Sequence, residues 1–427
     1  MAKLLKRHVT DILTESDGDG ATEFTDESIR HSRSSSCSSS VTLSEISTES
    51  SLESKINVEE SRFSRCLATL SGHEGVVSCI AASGELLLSA SQARDVRVWR
   101  HPDLHQCARF GTGDGAVKAV VAVGNRVVTA HQDQKMRVWK RFNGKYKLVT
   151  AMPTVKDYLT NAVSQSNYVQ TRRHHRRLWI EHADAISCLA VGTAVWKSAA
   201  RSGKRQKSAS LVLYSGSWDR TFKVWRLSDF KCVESTRAHD DAVNAIAVGP
   251  AGYLYTASAD GTLKVWLKPR GAESHRVVAT LEGHQSSVNA LAVAGDGTVV
   301  YSGGSDCAIV AWHTEIGESP FGVAGEMRGS HGGAVLCLCA VGDLLCSGSA
   351  DKTVRVWRRE GPHGGRFEHC TIALLRGHQG PVKCVAGSAD VATGFLVYSG
   401  SVDGSVKVWW VSKDKHEDKK ANTIAWI

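Results

Sequence analysis

Three of the residue types that recur at fixed spacing along this 427-residue chain are those of a serine-hydrolase triad. Five complete sets of His, hydroxyl, Asp and Trp are present: His182, Ser215, Asp219 and Trp225; His239, Thr256, Asp260 and Trp266; His284, Ser302, Asp306 and Trp312; His331, Ser347, Asp351 and Trp357; His378, Ser399, Asp403 and Trp409. Two further sets are incomplete, with Ala93 in the first Asp slot and Gly113 in the second His slot. Hydroxyl, imidazole and carboxylate could act as nucleophile, base and orienter. An enzyme gains nothing from repeating such a site along one chain, however, and no GxSxG elbow presents a serine. The phosphate-cradling GxxxxGK[ST] and the zinc-binding HExxH are absent too. A structural reading therefore prevails, in which the polar sets satisfy one another in the interior. The cysteines follow the same spacing: Cys79, Cys188, Cys337 and Cys384 alternate with Ala119, Ala245 and Ala290, so that slot calls for a small apolar side chain. No metal and no cofactor is expected.

The elements that hold these residues repeat with them. Trp closes the strings VRVW, MRVW, FKVW, LKVW, IVAW, VRVW and VKVW at 99, 139, 225, 266, 312, 357 and 409. A hydroxyl precedes each Asp slot by four residues, and the Asp slot precedes Trp by six. β-Branched runs bounded by Gly, Asp and Asn are hairpin signals. Each unit thus reads as His, strand, strand with Ser/Thr, tight turn with Asp, strand ending in Trp, and a further outer strand. With 39 Gly and 7 Pro, the composition suits a β-rich chain with many tight turns. No run of about 18 apolar residues spans a membrane. The N-terminal stretch holds no apolar run of the length a secretory signal needs, and cysteines without CxxC pairs fit reduced thiols.

This pattern resembles the WD40 family of β-propellers. The resemblance covers residues 62–411 and implies an all-β, seven-bladed ring with an N-terminal strand, Arg65–Leu70, completing the last blade. In the family the turn Asp accepts from turn amides and from the His ring, and the hydroxyl links His to the Trp indole. The family also implies that a narrow top face is lined by two residues per repeat. Here these are Gln92, Gln132, Trp218, Ala259, Ser305, Ala350 and Val402 in the turns, and Ser78, Lys118, Ser187, Asn244, Asn289, Leu336 and Lys383 on the inner strands. Trp218, Lys118, Asn244, Asn289, Leu336, Lys383, Gln92 and Gln132 are the protein-binding candidates. An exposed aromatic such as Trp218 suits a hot spot, and packing beneath an insert is its alternative fate.

Two inserts interrupt the repeat, at about 153–181 and 193–210. In the first, Val155, Leu159 and Val163 share one face at helical spacing behind Thr154, and predict a short amphipathic helix on the top face. Trp179 occupies a core slot. The inserts carry basic clusters, with Arg172, Arg173, Arg176 and Arg177 in one and Lys204, Arg205 and Lys207 in the other. These fit a nuclear-import signal, a polyanion contact with nucleic acid or acidic lipid, or a solvated loop. Nucleic acid is not the expected partner. Flanking the ring are a Ser-rich tail, 1–61, expected to be disordered and to offer phosphorylation sites near Arg30 and Arg33, and a charged end, 412–427.

Residues 167–191 (NYVQTRRHHRRLWIEHADAISCLAV), the string SGSWDRTFKVW and the Ser-rich leader are similar to the plant WD40 proteins called JINGUBANG-like. That resemblance implies regulatory interaction with signalling or transcription partners in nucleus and cytoplasm, without catalysis or a small-molecule substrate. A substrate receptor of a cullin-type ubiquitin ligase is the alternative. Arg100, Lys140, Arg226, Leu267, His313, Arg358 and Trp410 follow the Trp residues, so no copy carries the Trp-Asp-x-Arg such receptors use.

Overall fold

Each stretch from hydroxyl to Trp folds as a tight hairpin. In one, Leu344–Ser349 pairs with the strand beginning at Val354, placing Ser347 opposite Arg355 and Leu345 opposite Trp357. The turn between them needs one left-handed residue, directly after the Asp slot. Gly261 and Gly404 fill that place without strain, whereas Arg94, Gln134, Arg220, Cys307 and Lys352 adopt φ values between 61° and 72° there. The computed structural model describes residues 64–412 except 112–114, 173–174, 199–205, 270, 315–319, 364–365 and 392–393. The tail 1–61 and the end 413–427 lie outside the described residues.

Seven such hairpins, each with an innermost and an outermost neighbour, form seven four-stranded antiparallel sheets. The innermost strands begin at Val77, Val117, Ile186, Val243, Val288, Val335 and Val382 and define blades 1 to 7. Each packs on the next, and that of blade 7 packs on that of blade 1, so the ring closes. Ser64–Leu70 is the outermost strand of blade 7, antiparallel to Val406–Ser412 with Leu70 opposite Val406. A lone blade would leave both faces wet, and radial stacking removes them from water.

The core lies between blades. Every indole that ends a third strand packs on the blade before its own: Trp99 sits with Leu70, Tyr398 and Val408 of blade 7, and Trp225 with Val128, Met136 and Val138 of blade 2. Near the axis the blades approach so closely that second strands must carry a small residue. A Cβ on Gly400 would meet Val77 of blade 1 at 2.6 Å and the Cys384 sulfur at 2.7 Å. Cys188, Cys337 and Cys384 lie opposite Gly216, Gly348 and Gly400, while Ala119 and Ala245 lie opposite Ala130 and Ala257. Cys79 lies opposite Ala90 and Ala290 opposite Gly303, so both members of each pair are small.

Lys145–Met152 forms the outermost strand of blade 2, with Met152 beside the turn end of the third strand. The first insert therefore leaves blade 2 on the face that carries the Asp turns. It holds a helix at Val155–Asn161 and a hairpin of Tyr168–Arg172 with His175–Leu178. The second insert lengthens the inner hairpin of blade 3, Ile186–Ser198 paired with Gln206–Ser217, at the opposite end.

Candidate functional site

In the five complete sets one hydroxyl stands between imidazole and indole. In blade 3, Trp225 Nε1–H donates to Ser215 Oγ at 2.9 Å, Ser215 Oγ lies 2.8 Å from His182 Nε2, and His182 Nδ1 lies 2.9 Å from Asp219. The other four repeat this within 0.1 Å or so, with imidazole-to-hydroxyl distances of 2.8 Å in each. One proton order satisfies every group: indole to hydroxyl, hydroxyl to neutral Nε2, Nδ1–H to ionised carboxylate. Burial pushes the imidazoles of His182, His239, His331 and His378 below their usual range, which keeps them neutral. Burial alone would raise the Asp219 carboxyl, but the His182 ring, the Thr221 hydroxyl and the Ala183 N–H outweigh it and hold it low. The hydroxyls of Ser215, Thr256, Ser302, Ser347 and Ser399 have no exposed surface, so none can reach a substrate. The geometry gives these sets a bracing role.

The two irregular blades correct the reading from spacing. Blade 2 does have an imidazole. His131, two residues past Thr129, turns its ring inward so that Nε2 lies 2.8 Å from Thr129 Oγ1 and Nδ1 3.3 Å from the Gly115 carbonyl. The equivalent position in blade 5 is Gly304, where a Cβ would collide with the His284 ring, so this place adjoins the imidazole site. Blade 1 has its carboxylate in the wrong place. Asp95, two residues beyond Ala93, pairs with Arg97 and Arg109 and comes only within 3.9 Å of His73 Nδ1, which has no hydrogen-bond partner among the described residues.

On the face of the Asp turns, the inner-strand candidates prove to be bulged residues: the pairing register skips Ser78, Lys118, Ser187, Asn244, Asn289, Leu336 and Lys383 alike. A bulge turns its side chain toward the next blade. Ser78, Ser187, Asn244 and Asn289 use this to donate to the carbonyls of Val117, Val243, Val288 and Val335, the first residue of the following inner strand. Where the bulge holds Leu336 or Lys383, the thiols of Cys337 and Cys384 approach the Val382 and Val77 carbonyls at 3.6 Å. These inter-blade staples were not evident from the sequence, because the acceptor is a carbonyl on a different repeat. Lys118 makes no such bond. Its ammonium lies 5.3 Å from the centre of the Trp218 ring, and Trp218 is 42% exposed. Gln92 and Gln132 sit in the turns of blades 1 and 2, their N–H groups bonded to the Val76 and Ala116 carbonyls.

The first insert departs from expectation. Thr154 and Asp157 form a reciprocal capping box. The stripe Val155, Leu159 and Val163 nevertheless faces solvent, with exposures of 75%, 49% and 67%. The helix is anchored by its polar side instead: Asp157 is buried, and Asn161 accepts from the Trp179 indole at 3.2 Å. Trp179 is half-buried, and its neighbours Leu178 and Ile180 fill the core. Among the basic residues, Arg177 reaches Gln134 and the His182 carbonyl and so ties the insert to the ring, while Arg176 is exposed. The backbones of Arg172 and Lys207 lie on strands, and Arg173, Lys204 and Arg205 fall outside the described residues.

Among the described residues no group of three His, Cys, Asp or Glu side chains could hold a metal ion, and no helix is long and apolar enough to cross a membrane. The model of the WD domain, G-beta repeat, matches residues 64–100, 230–266, 275–313, 325–358 and 369–409. The unmatched stretch 101–229 contains the blade with the relocated imidazole and both inserts. An uncharacterised WD repeat-containing protein of Schizosaccharomyces pombe is 33% identical over 172 residues, covering 38% of this chain and 46% of that one. A ribosome biogenesis protein WDR12 homolog of Nematostella vectensis is 27% identical over 227 residues, covering 46% and 52%. A WDR12 homolog of Chlamydomonas reinhardtii is 25% identical over 296 residues, covering 59% and 63%. The chain thus spans about half the length of these relatives. With seven closed blades, offset repeats and these matches, the chain belongs to the WD40 β-propeller family.

Proposed function

We propose that this protein is a non-enzymatic scaffold whose partner docks on the face of the Asp turns, around Trp218. The observation that carries this is the contrast within that rim: the bulged Ser and Asn side chains are engaged in holding blades together, whereas Trp218 stands exposed on a turn. A rigid ring that presents an exposed indole offers a large contact area at little ordering cost. The likeness to JINGUBANG-like proteins supports a regulatory role with transcription or signalling partners, in cytoplasm and nucleus, the basic inserts serving import. The names of the WDR12 homologs favour a second reading, participation in ribosome assembly.

Affinity capture with the full chain and with Trp218→Ala tests the proposal. The scaffold reading expects proteins that are retained by the parent and lost from a variant of equal melting temperature. Ribosome precursor proteins in that set would favour the second reading, and cullin adaptors would favour a ligase receptor. Retention of every protein by Trp218→Ala would remove this face as the docking site. Deleting 153–210 is unsuitable, because it also removes the strand Ile186–Ser198.

A further inference from the structure

The fourteen inner-rim positions on the turn face, seven in turns and seven at bulges, include two charged residues, and both are lysines. Lys118 and Lys383 occupy equivalent bulges in blades 2 and 7, on either side of blade 1. Ser78, the bulge of blade 1 between them, turns its hydroxyl onto the Val117 and Ala90 carbonyls. Neither ammonium meets a carboxylate among the described residues. Burial lowers the Lys118 ammonium below its usual range, and the nearby Lys383 charge lowers it further. Two like charges that flank one blade without a carboxylate between them attract an anion. At the bulges that hold Ser or Asn the side chain serves the ring. At Lys118 it does not, and its ammonium is held against the Trp218 face instead.

We infer that Lys118 and Lys383 form an anion subsite on the inner rim of the turn face, which takes one acidic side chain, carboxylate or phosphate, from a linear segment of the partner while Trp218 packs beside it. This rests on the docking face proposed above and names the chemistry of its partner. A peptide suits the site better than a nucleic acid does: two lysines can answer one anionic group, whereas a polynucleotide needs a positive track along its backbone.

The test uses the full chain and fluorescein-labelled Gly-Ser peptides that carry paired glutamates, paired phosphoserines or neither, read by polarisation. Binding is expected for an acidic peptide and not for the neutral one, with the stronger of the two arms identifying carboxylate or phosphate. Lys118→Met and Lys383→Met are each expected to weaken it about tenfold or more, with Lys118→Arg close to the parent. Unchanged melting temperatures exclude misfolding as the cause. The inference is overturned if acidic and neutral peptides bind alike, if no peptide binds, if both Met variants bind as the parent does, or if an oligouridylate of equal charge binds more tightly. Loss of captured proteins with Trp218→Ala but not with the lysine variants would overturn this subsite and leave the docking face standing.

Discussion

His131 Nε2 lies 2.8 Å from the Oγ1 of Thr129, two residues before it on the same strand, so blade 2 receives its imidazole from a position that no other blade uses. The ring site is what the fold requires, and the residue that supplies it can move. His131→Ala is accordingly expected to destabilise the protein as His331→Ala does, by about 1–3 kcal/mol each, since both leave a buried hydroxyl short of a partner. Urea unfolding midpoints check this. A His131 variant as stable as the parent would show that the Trp139–Thr129 bond suffices alone.

Blade 1 has the weakest brace, because Asp95 is held by two arginines away from His73. Asp351, by contrast, accepts from His331, from the Gly332 and Thr353 N–H groups and from the Thr353 hydroxyl. Asp351→Ala should therefore cost more stability than any substitution at Ala93. Ala93→Asp should raise stability by about 1 kcal/mol by giving His73 Nδ1 an acceptor. Paired melting curves decide between this and a loss from repulsion by Asp95.

The closing strand predicts opposite outcomes for two truncations. Removing residues 1–55 is expected to leave the melting temperature almost unchanged. Extending the cut through Leu70 strips the edge of Val406–Ser412 and uncovers the Trp99 contact, and cooperative unfolding should be lost or shifted sharply downward. Calorimetry on both forms reads the difference.

Acid should loosen the ring before the carboxylates titrate. Burial holds His73 and His131 down at about 4, against an ordinary value of 6.5. The unfolded chain then binds more protons between those values, so stability is complete above about pH 7 and falls as pH drops toward 4, by on the order of 3 kcal/mol for each ring at most. Denaturation midpoints from pH 7.5 to 4 should decline, and His131→Gln should flatten the slope. A pH-independent midpoint over that range would contradict the buried neutral rings.

Fold and ring closure were legible because a period in sequence is a period in space: Asp, hydroxyl and Trp keep their offsets wherever the hairpin between them is intact. The brace in blade 2 was illegible for the same reason, since His131 breaks the offset while occupying the same volume. The staples at Asn244 and Asn289 were hidden because a bulge leaves no mark of its own in the residue pattern and its acceptor is a main-chain carbonyl on another blade. The helix at Val155–Asn161 was visible from its cap, but the side by which it docks was not. A capped two-turn helix fixed by Asp157 and Asn161 needs no apolar face against the ring, and spacing alone cannot say which side is held.

The strand Ser64–Leu70 leaves the ribosome first among the described residues and finds its neighbour, Val406–Ser412, last. At roughly 5–20 residues per second, translation of the stretch between them lasts on the order of tens of seconds. Throughout that interval a nascent chain carries one unpaired segment with exposed main-chain groups and a first blade with no seventh blade packed against it, the condition under which strands pair with strangers. Chaperone demand during synthesis is therefore built into the order of the chain, and a circular permutant that begins between Leu70 and Val77 and joins the closing strand to its neighbour through a short linker should mature faster than the natural order does.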